Sequence, residues 1–424
     1  MPIIATNLKR GIMSKATSKA INTYIIIGCG IAGVSAAEAI REVDKTGKVI
    51  LICNESELPY YRMNLTRYLA GEIDASKLPL HPDAWYQKNA VELMLNTVVD
   101  SINPAAKEVH LANDGTVSYD KLILANGAQP FMPPFPGKEL KGVWTVRTHM
   151  DADKILDESV PPIKVVCIGG GLLGLENAGA LAKRGAEVTV IETFDWLLPR
   201  QLPKEGGKQF EKLILKMGIK VVTGGKVKEM RGNEAVRAVV FEDGSELPAD
   251  LVLVTTGVVS DTKLAKEAGL KVNKGVVVDE QMRTSEPDIY AAGDNCECNG
   301  KLYGLWMPAK TQGTVAGHNA AGRDDVFPEL PPSAKLKVLG IDLFSVGQIA
   351  PADANDVLVY EAEDGDFTGF VLREGKLIGA SLLGDVNLAD EAKQAVNTGK
   401  VFNTEKGERL TVASINAALR AKTS

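Results

Sequence analysis

Two glycine runs carry the strongest chemical signal in the chain: Gly28-Cys29-Gly30-Ile31-Ala32-Gly33 and Gly169-Gly170-Gly171-Leu172-Leu173-Gly174. Each has the G-x-G-x-x-G spacing, in which the first glycine permits a tight turn, the second lets a pyrophosphate approach the backbone and the third lets helix and strand pack closely. Backbone N–H groups left free at the start of the following helix then face the phosphates. Two copies about 140 residues apart imply two dinucleotides. Glu192 lies 23 residues after Gly169, close to the ~20-residue offset of an acid that accepts hydrogen bonds from an adenine ribose. A carboxylate there accepts from the 2′-OH and repels a 2′-phosphate, so the second site is expected to favour NADH over NADPH. In the first copy the matching place reads Cys53-Asn54-Glu55, and Asn54 and Glu55 are both candidates for a ribose contact.

Such loops work only between a strand and a helix, and the flanking residues supply both. Tyr24 to Ile27 and Lys164 to Ile168 are short runs rich in β-branched residues, each glycine loop opens a helical pattern, and Val49 to Ile52 and Glu187 to Ile191 follow as second strands. Each unit has a later echo: strand Leu122 to Leu124 runs into Ala125-Asn126-Gly127, and strand Leu251 to Val254 into Thr255-Thr256-Gly257. Prolines at 130, 133, 134, 136, 161 and 162 mark connections flanking the second unit, and Pro328 to Pro332 marks another break. Beyond it, Val338 to Val346, Val357 to Glu361, Gly369 to Arg373 and Leu377 to Leu383 read as strands with a hairpin turn at Glu374-Gly375. A helix follows around Leu388 to Asn397, so this last piece reads as a small α+β domain.

Composition narrows the field. A chain of 424 residues has room for two or three domains. Its 54 acidic against 48 basic residues, without a block of like charge, give no nucleic-acid-binding surface. The uncharged stretch from Ala20 to Ala37 contains the first glycine loop and reads as strand, turn and helix rather than a membrane span. Met13 is an alternative start, and residues 1–20 are expected to form an extension. Five scattered cysteines are unlike a secreted disulfide framework, so a reducing, cytoplasmic setting is expected. Cys29, Cys53 and Cys167 are expected to pack as small hydrophobes. Cys296-Glu297-Cys298 offers two sulfur ligands, too few for a zinc or iron–sulfur site. The four histidines show no metal-ligand spacing, and hydrolytic chemistry has no support.

Further segments carry a resemblance. Thr284 leading to Ala291-Ala292-Gly293-Asp294 resembles the second FAD fingerprint of flavoprotein reductases that bind two dinucleotides. Leu58 to Glu72 and Leu305 to Gly313 are similar to segments of NADH:rubredoxin reductases, the flavin part of nitrite reductase large subunits and the wider group that includes apoptosis-inducing factor. The similarity runs from about Tyr24 to the end of the chain. It implies an α/β fold of two Rossmann-like domains, the NAD-binding one inserted into the FAD-binding one, plus the C-terminal α+β domain. The expected boundaries are 1–20 for the extension, 21–145 and 261–327 for the FAD-binding domain, 146–260 for the NAD-binding domain and 328–424 for the last domain.

By the same resemblance Arg62 lies at the FAD pyrophosphate, Val99 at the adenine and Asp294 at the ribityl chain. Ala125, Asn126, Gly127 and Gly257 lie where strands meet cofactors, and the helix after Trp306 points its N-terminus at the flavin. Arg67 and Glu176 occupy the places of a catalytic Lys–Glu pair beside flavin N5, and an Arg there is a permanent charge that cannot exchange a proton as Lys does. The implied reaction takes a hydride from NADH to FAD and passes electrons to a small redox protein such as rubredoxin or ferredoxin, or to a nitrite reductase partner. Two other outcomes stay open at this point: an NADH oxidase or diaphorase using oxygen or quinones, and an NADH-responsive interaction protein. A homodimer is allowed. No cysteine lies between Cys53 and Cys167, so the thiol relay of disulfide reductases has no place in the expected mechanism.

Overall fold

The computed structural model describes residues 22–328, 333–402 and 409–421; the extension expected over residues 1–20 and the alternative start at Met13 lie outside the described residues. Two parallel five-stranded sheets organise the larger part of the chain. In the first, the order is Ile289–Ala291, Lys121–Leu124, Thr23–Ile27, Lys48–Ile52, Val91–Met94. The second runs Lys220–Thr223, Glu187–Glu192, Lys164–Ile168, Leu251–Val254, Val143–Trp144. Strands such as Tyr24 to Ile27 and Leu251 to Val254 are buried along their length, as parallel strands covered on both faces must be.

The halves repeat one another beyond the sheets. Each inserts a three-stranded antiparallel meander, Val99–Asn103 to Thr116–Ser118 in the first and Val227–Gly232 to Glu246–Pro248 in the second. Each then returns to its sheet through the strand that ends near Gly127 or Gly257. From those two glycines the chain goes into a shared ribbon, in which Ala128–Pro130 pairs antiparallel with Val258–Ser260.

The closing elements of the first half come from late in the chain. The helix Trp306–Ala320 lies on the phosphate-loop helix Ile31–Val43, and Gly313 and Gly317 set the approach. A Cβ on Gly313 would sit 2.1 Å from the Ala32 carbonyl oxygen, and one on Gly317 2.3 Å from that of Ala36. Two hydrogens in place of two side chains therefore let the helix backbones touch.

The C-terminal residues form an antiparallel sheet in the order Ser333–Val338, Ile341–Gly347, Lys376–Leu383, Asp366–Arg373, Asp356–Glu363, packed against the helices Ala389–Thr398 and Val412–Arg420. The single strand expected from Val338 to Val346 is two strands joined at Leu339-Gly340. Both of these residues have positive φ, 52° and 83°, which reverses the chain there. The hairpin at Glu374-Gly375 stands as expected, with φ of 52° and 77°.

Candidate functional site

The two glycine loops have the same geometry. Gly28 and Gly169 take φ of +109° and +119°, and a Cβ on either would meet the backbone of the neighbouring strand end, Ala125 or Thr255. A Cβ on Gly33 or Gly174 would lie 1.9 Å from the carbonyl oxygen of Gly28 or Gly169. Gly30 and Gly171, in contrast, have open space where their Cβ would be. These two middle glycines are the N-caps of the helices Ile31–Val43 and Leu172–Lys183, with no side-chain cap and no acid in the first turn. Free N–H groups and an open approach are the features a pyrophosphate requires.

In front of the first loop are two adjoining cavities of about 350 and 300 Å³ that share Gly30, Arg62, Ala125, Gly127 and Arg147. Asp294 and Trp306 line one; Gly28, Asn54, Glu55, Val99 and Asn126 line the other. Apart from Arg67 and Glu176, every residue expected at the first dinucleotide thus lies at this double cleft or, as Gly33 does, directly beneath its loop. The second loop opens on a cleft of about 620 Å³ lined by Gly169, Gly171, Glu192 and Gly257, with Gly174 packed beneath. The first and second clefts adjoin, sharing Leu173, Gly304 and Leu305 as a common wall.

Polar groups in the first cleft form one network. The Tyr60 hydroxyl donates to Glu55 at 2.5 Å and accepts from Arg62 Nη1 and the His149 N–H, each at 3.0 Å. Arg62 Nη2 reaches Glu55 at 2.6 Å, and its Nη1 also donates to the Arg147 carbonyl. Burial, reinforced by Glu55, pushes the Tyr60 phenol far above its ordinary value. For Arg62, burial works against the charge, but Tyr60 and Glu55 outweigh it and its pKa is raised. Asn126 donates to the Asp261 carbonyl at 2.8 Å and accepts from Asn295 Nδ2 at 2.9 Å, which ties the Gly127 turn to the segment after Asp294.

Arg147 is a site residue that the sequence did not signal. It lines both cavities, and its guanidinium sits 3.6 Å from Asp294. Burial and the neighbouring Arg62 lower its pKa. Tyr61 stacks on Trp306 with centroids 6.2 Å apart, and Lys310 lies over the same indole. In the second cleft, Arg200 and Tyr303 are additional lining residues.

Two expectations are corrected. Cys29 and Cys53 do not pack as separate small hydrophobes; they form a disulfide with Cα atoms 5.4 Å apart. In the place that matches Glu192, Cys53 is the residue in register with it, because Ile27 pairs with Ile52 as Ile168 pairs with Ile191, and Asn54 and Glu55 follow it along the same cleft. Glu55 is engaged by Arg62 and Tyr60, whereas Asn54 is exposed. Arg67 and Glu176 line one cavity of about 560 Å³ but do not pair. Arg67 Nε is 3.2 Å from Glu72, which also holds Lys183, and Glu176 accepts the Leu339 N–H at 2.9 Å. Burial raises the Glu176 carboxyl, and the Lys183 and Arg67 contacts lower that of Glu72.

The Glu192 carboxylate accepts from the Gly170 N–H at 2.8 Å and the Phe194 N–H at 2.9 Å, which aims it across the mouth of the second loop. Cys167, Cys296 and Cys298 lie outside the disulfide and are buried. Burial pushes the Cys167 thiol up to about 12 and that of Cys296 higher, so neither is a thiolate near neutral pH. Among the described residues there is no group of His, Cys, Asp and Glu able to hold a metal ion, and no helix long and apolar enough to cross a membrane.

Comparison with known proteins agrees with this geometry. Residues 22–313 match the profile of the pyridine nucleotide-disulphide oxidoreductases, and residues 332–400 that of the rubredoxin NAD+ reductase C-terminal domain. The chain is 35% identical over 364 residues to a nitrite reductase [NAD(P)H] of Bacillus subtilis, covering 85% of this chain and 45% of that protein. It is 32% identical over 379 residues to the NADH-rubredoxin oxidoreductase of Clostridium acetobutylicum, covering 89% and 95%. The structure superposes on putidaredoxin reductase in its covalent complex with putidaredoxin with a TM-score of 0.82 and 27% identity, covering 95% of this chain and 100% of that one. The chain spans less than half the length of the nitrite reductases it matches.

Proposed function

The chain belongs to the pyridine nucleotide-disulphide oxidoreductase family, and from that premise we propose that it takes reducing equivalents from NADH through FAD to a small redox protein. The observation that carries this reading is the shared wall of the two clefts: Leu173, Gly304 and Leu305 border both, so two dinucleotides would meet across it. Bound FAD supplies the chemistry that joins a two-electron hydride donor to a one-electron acceptor.

The chain's own residues bind, orient and shield. The Ile31–Val43 helix offers its N-terminal N–H groups to the FAD pyrophosphate, with the Arg62 and Arg147 charges beside it. Asp294 accepts a hydrogen bond from the ribityl chain, and the Trp306–Ala320 helix presents its positive end to the flavin. Glu192 accepts from the ribose 2′-OH and disfavours a 2′-phosphate, which supports NADH over NADPH. Leu173 and Leu305 keep water from the junction. With Cys167, Cys296 and Cys298 buried, no exposed thiol is offered as a relay between flavin and acceptor, which supports direct delivery to a protein partner of the rubredoxin or ferredoxin kind. Arg67 and Glu176, each paired elsewhere, are given no part in this mechanism. The domain division at 145/146, 260/261 and 327/328 and the cytoplasmic setting are further parts of the proposal.

The test is NADH-driven reduction of a panel of acceptors: rubredoxin, ferredoxin, a nitrite reductase partner and oxygen. We expect one of the proteins to be reduced at least tenfold faster than oxygen. Oxygen as the fastest acceptor, or none faster than an artificial dye, would overturn the carrier assignment.

A further inference from the structure

The disulfide Cys29–Cys53 has no part in the reaction just described, yet it spans the first phosphate loop. By register Cys29 stands where the second half has Gly170, and Cys53 where it has Glu192. In the second half that juxtaposition is an N–H to carboxylate hydrogen bond; in the first it is covalent. We propose that Cys29 and Cys53 form a thiol–disulfide exchange site, open to a dithiol reductant, whose oxidation state sets how tightly the first cleft holds FAD. This rests on the assignment of FAD to that cleft.

The geometry gives the coupling a direction. Cys53 is 2% exposed, and its backbone is held on both sides: its N–H donates to the Met94 carbonyl at 2.9 Å, and its own carbonyl accepts from Thr97 at 2.7 Å. Cys29 is half-buried and lines the cleft together with Cys53. Bonded sulfurs lie about 2.05 Å apart, whereas two separate thiols need a non-bonded spacing of about 3.5–4 Å. Cys53 cannot yield the difference, so Cys29 must, and the open side of its loop is the cleft, where Gly30 has no neighbour within 4 Å of its Cβ position. Reduction therefore moves a thiol toward the path of the pyrophosphate and frees the loop from the end of its second strand.

The exchange balances without the flavin. One thiolate of the dithiol attacks the accessible Cys29 sulfur, the S–S bond breaks, and the Cys53 sulfur leaves and takes a proton. The second thiolate of the reductant then closes on the first, releasing Cys29, which is also protonated. Two electrons and two protons have passed to the protein, and the reductant is left as a cyclic disulfide. Cys167, Cys296 and Cys298 are buried, which confines the exchange to this pair. Linkage requires the reverse effect as well: FAD protects the disulfide by the same factor by which the disulfide favours FAD. A tenfold factor corresponds to about 30 mV in the potential of the pair.

The protein as isolated, denatured without reductant, should show three reactive thiols out of five cysteines. FAD titrated into flavin-stripped protein should bind about tenfold more weakly in reduced than in oxidised dithiothreitol. The difference should vanish in Cys29→Ala/Cys53→Ala, and the wild-type comparison stands even if that variant does not fold. Five reactive thiols, equal affinities in the two states, or a difference that persists in the double variant would each overturn the exchange site. Failure to bind FAD in either state would instead remove the cofactor assignment on which it rests, a result the thiol count distinguishes from loss of the disulfide.

Discussion

The two phosphate loops share a backbone and differ in what fills it. Gly28, Gly30 and Gly33 meet the same constraints as Gly169, Gly171 and Gly174, down to a 1.9 Å clash awaiting a Cβ at the third glycine of each. At the second position of the loop and the end of the second strand, however, one half places a glycine N–H against a carboxylate and the other a disulfide. The loop backbone is thus a fixed requirement of phosphate binding, whereas the contact beside it is free to carry recognition in one half and a covalent tie in the other. The covering elements differ in the same way. The first helix is met by backbone at Gly313 and Gly317, the second by the Leu339 side chain over Gly179.

The largest effect should come from the shared backbone. Gly33→Ala should weaken FAD binding by about a hundredfold and leave NADH binding within about twofold, and Gly174→Ala should do the reverse, because overpacking costs roughly 1–3 kcal/mol and here falls on backbone. Titration of each cofactor checks this, and a substitution that harmed both sites equally would break the claim that the halves are separable. Next, Glu192→Ala should narrow the NADH over NADPH preference in kcat/KM about tenfold, in keeping with loss of a charge-assisted hydrogen bond. An unchanged ratio removes the ribose role.

The covering contacts should differ by a smaller margin. Gly313→Ala should lower stability by about 1–3 kcal/mol, because its Cβ meets the Ala32 carbonyl 2.1 Å away. Gly179→Ala should cost less: its neighbour is the end of the flexible Leu339 side chain, and alanine gains about 1 kcal/mol of helix propensity over glycine. Equal melting temperatures for the two variants would contradict the contrast.

The smallest effect separates the turns after the two phosphate helices. Burial pushes the Asp44 carboxyl up, but the Thr46 and Gly47 N–H groups and the Tyr24 hydroxyl, each at 2.9 Å, outweigh it and hold it down at about 2. A depressed carboxyl contributes stability that is full above its unfolded value of about 3.9 and is lost as pH falls through about 2. The corresponding turn of the second half, Arg184-Gly185, has no acid. Asp44→Asn should therefore lower the melting temperature at pH 6 by a few degrees and progressively less from pH 4 downward. A pH-independent difference would show that the carboxylate charge is irrelevant.

What could be read from the sequence follows from how local each signal is. The glycine spacing, the strands before it and the helices after it lie within a few residues of each other, so loops and clefts were legible, as was the position of Asp294 at the first cleft. The Arg67–Glu176 pairing was not, because the partner of a long side chain is decided by whichever opposite charge lies nearest, here Glu72. Arg147 has no spacing that marks it. The disulfide needed register as well as composition: Cys29 and Cys53 each lie just beyond the last paired residues of adjacent strands, and only the alignment of Ile27 with Ile52 brings them together. The turn at Leu339-Gly340 was hidden because leucine is not expected at positive φ.

The ribbon of Ala128–Pro130 with Val258–Ser260, together with the edge strand Ile289–Ala291, bears on the order in which the chain becomes a protein. During synthesis every strand of the second sheet has emerged by Val254, while the first sheet still lacks the strand beside Lys121–Leu124. Its earliest residues must wait through the whole intervening half before Tyr290 aligns with Ile123 and the Trp306–Ala320 helix closes over Ile31–Val43. The half that begins first is finished last. Its open edge and uncovered helix face are the surfaces that a growing chain must keep from straying.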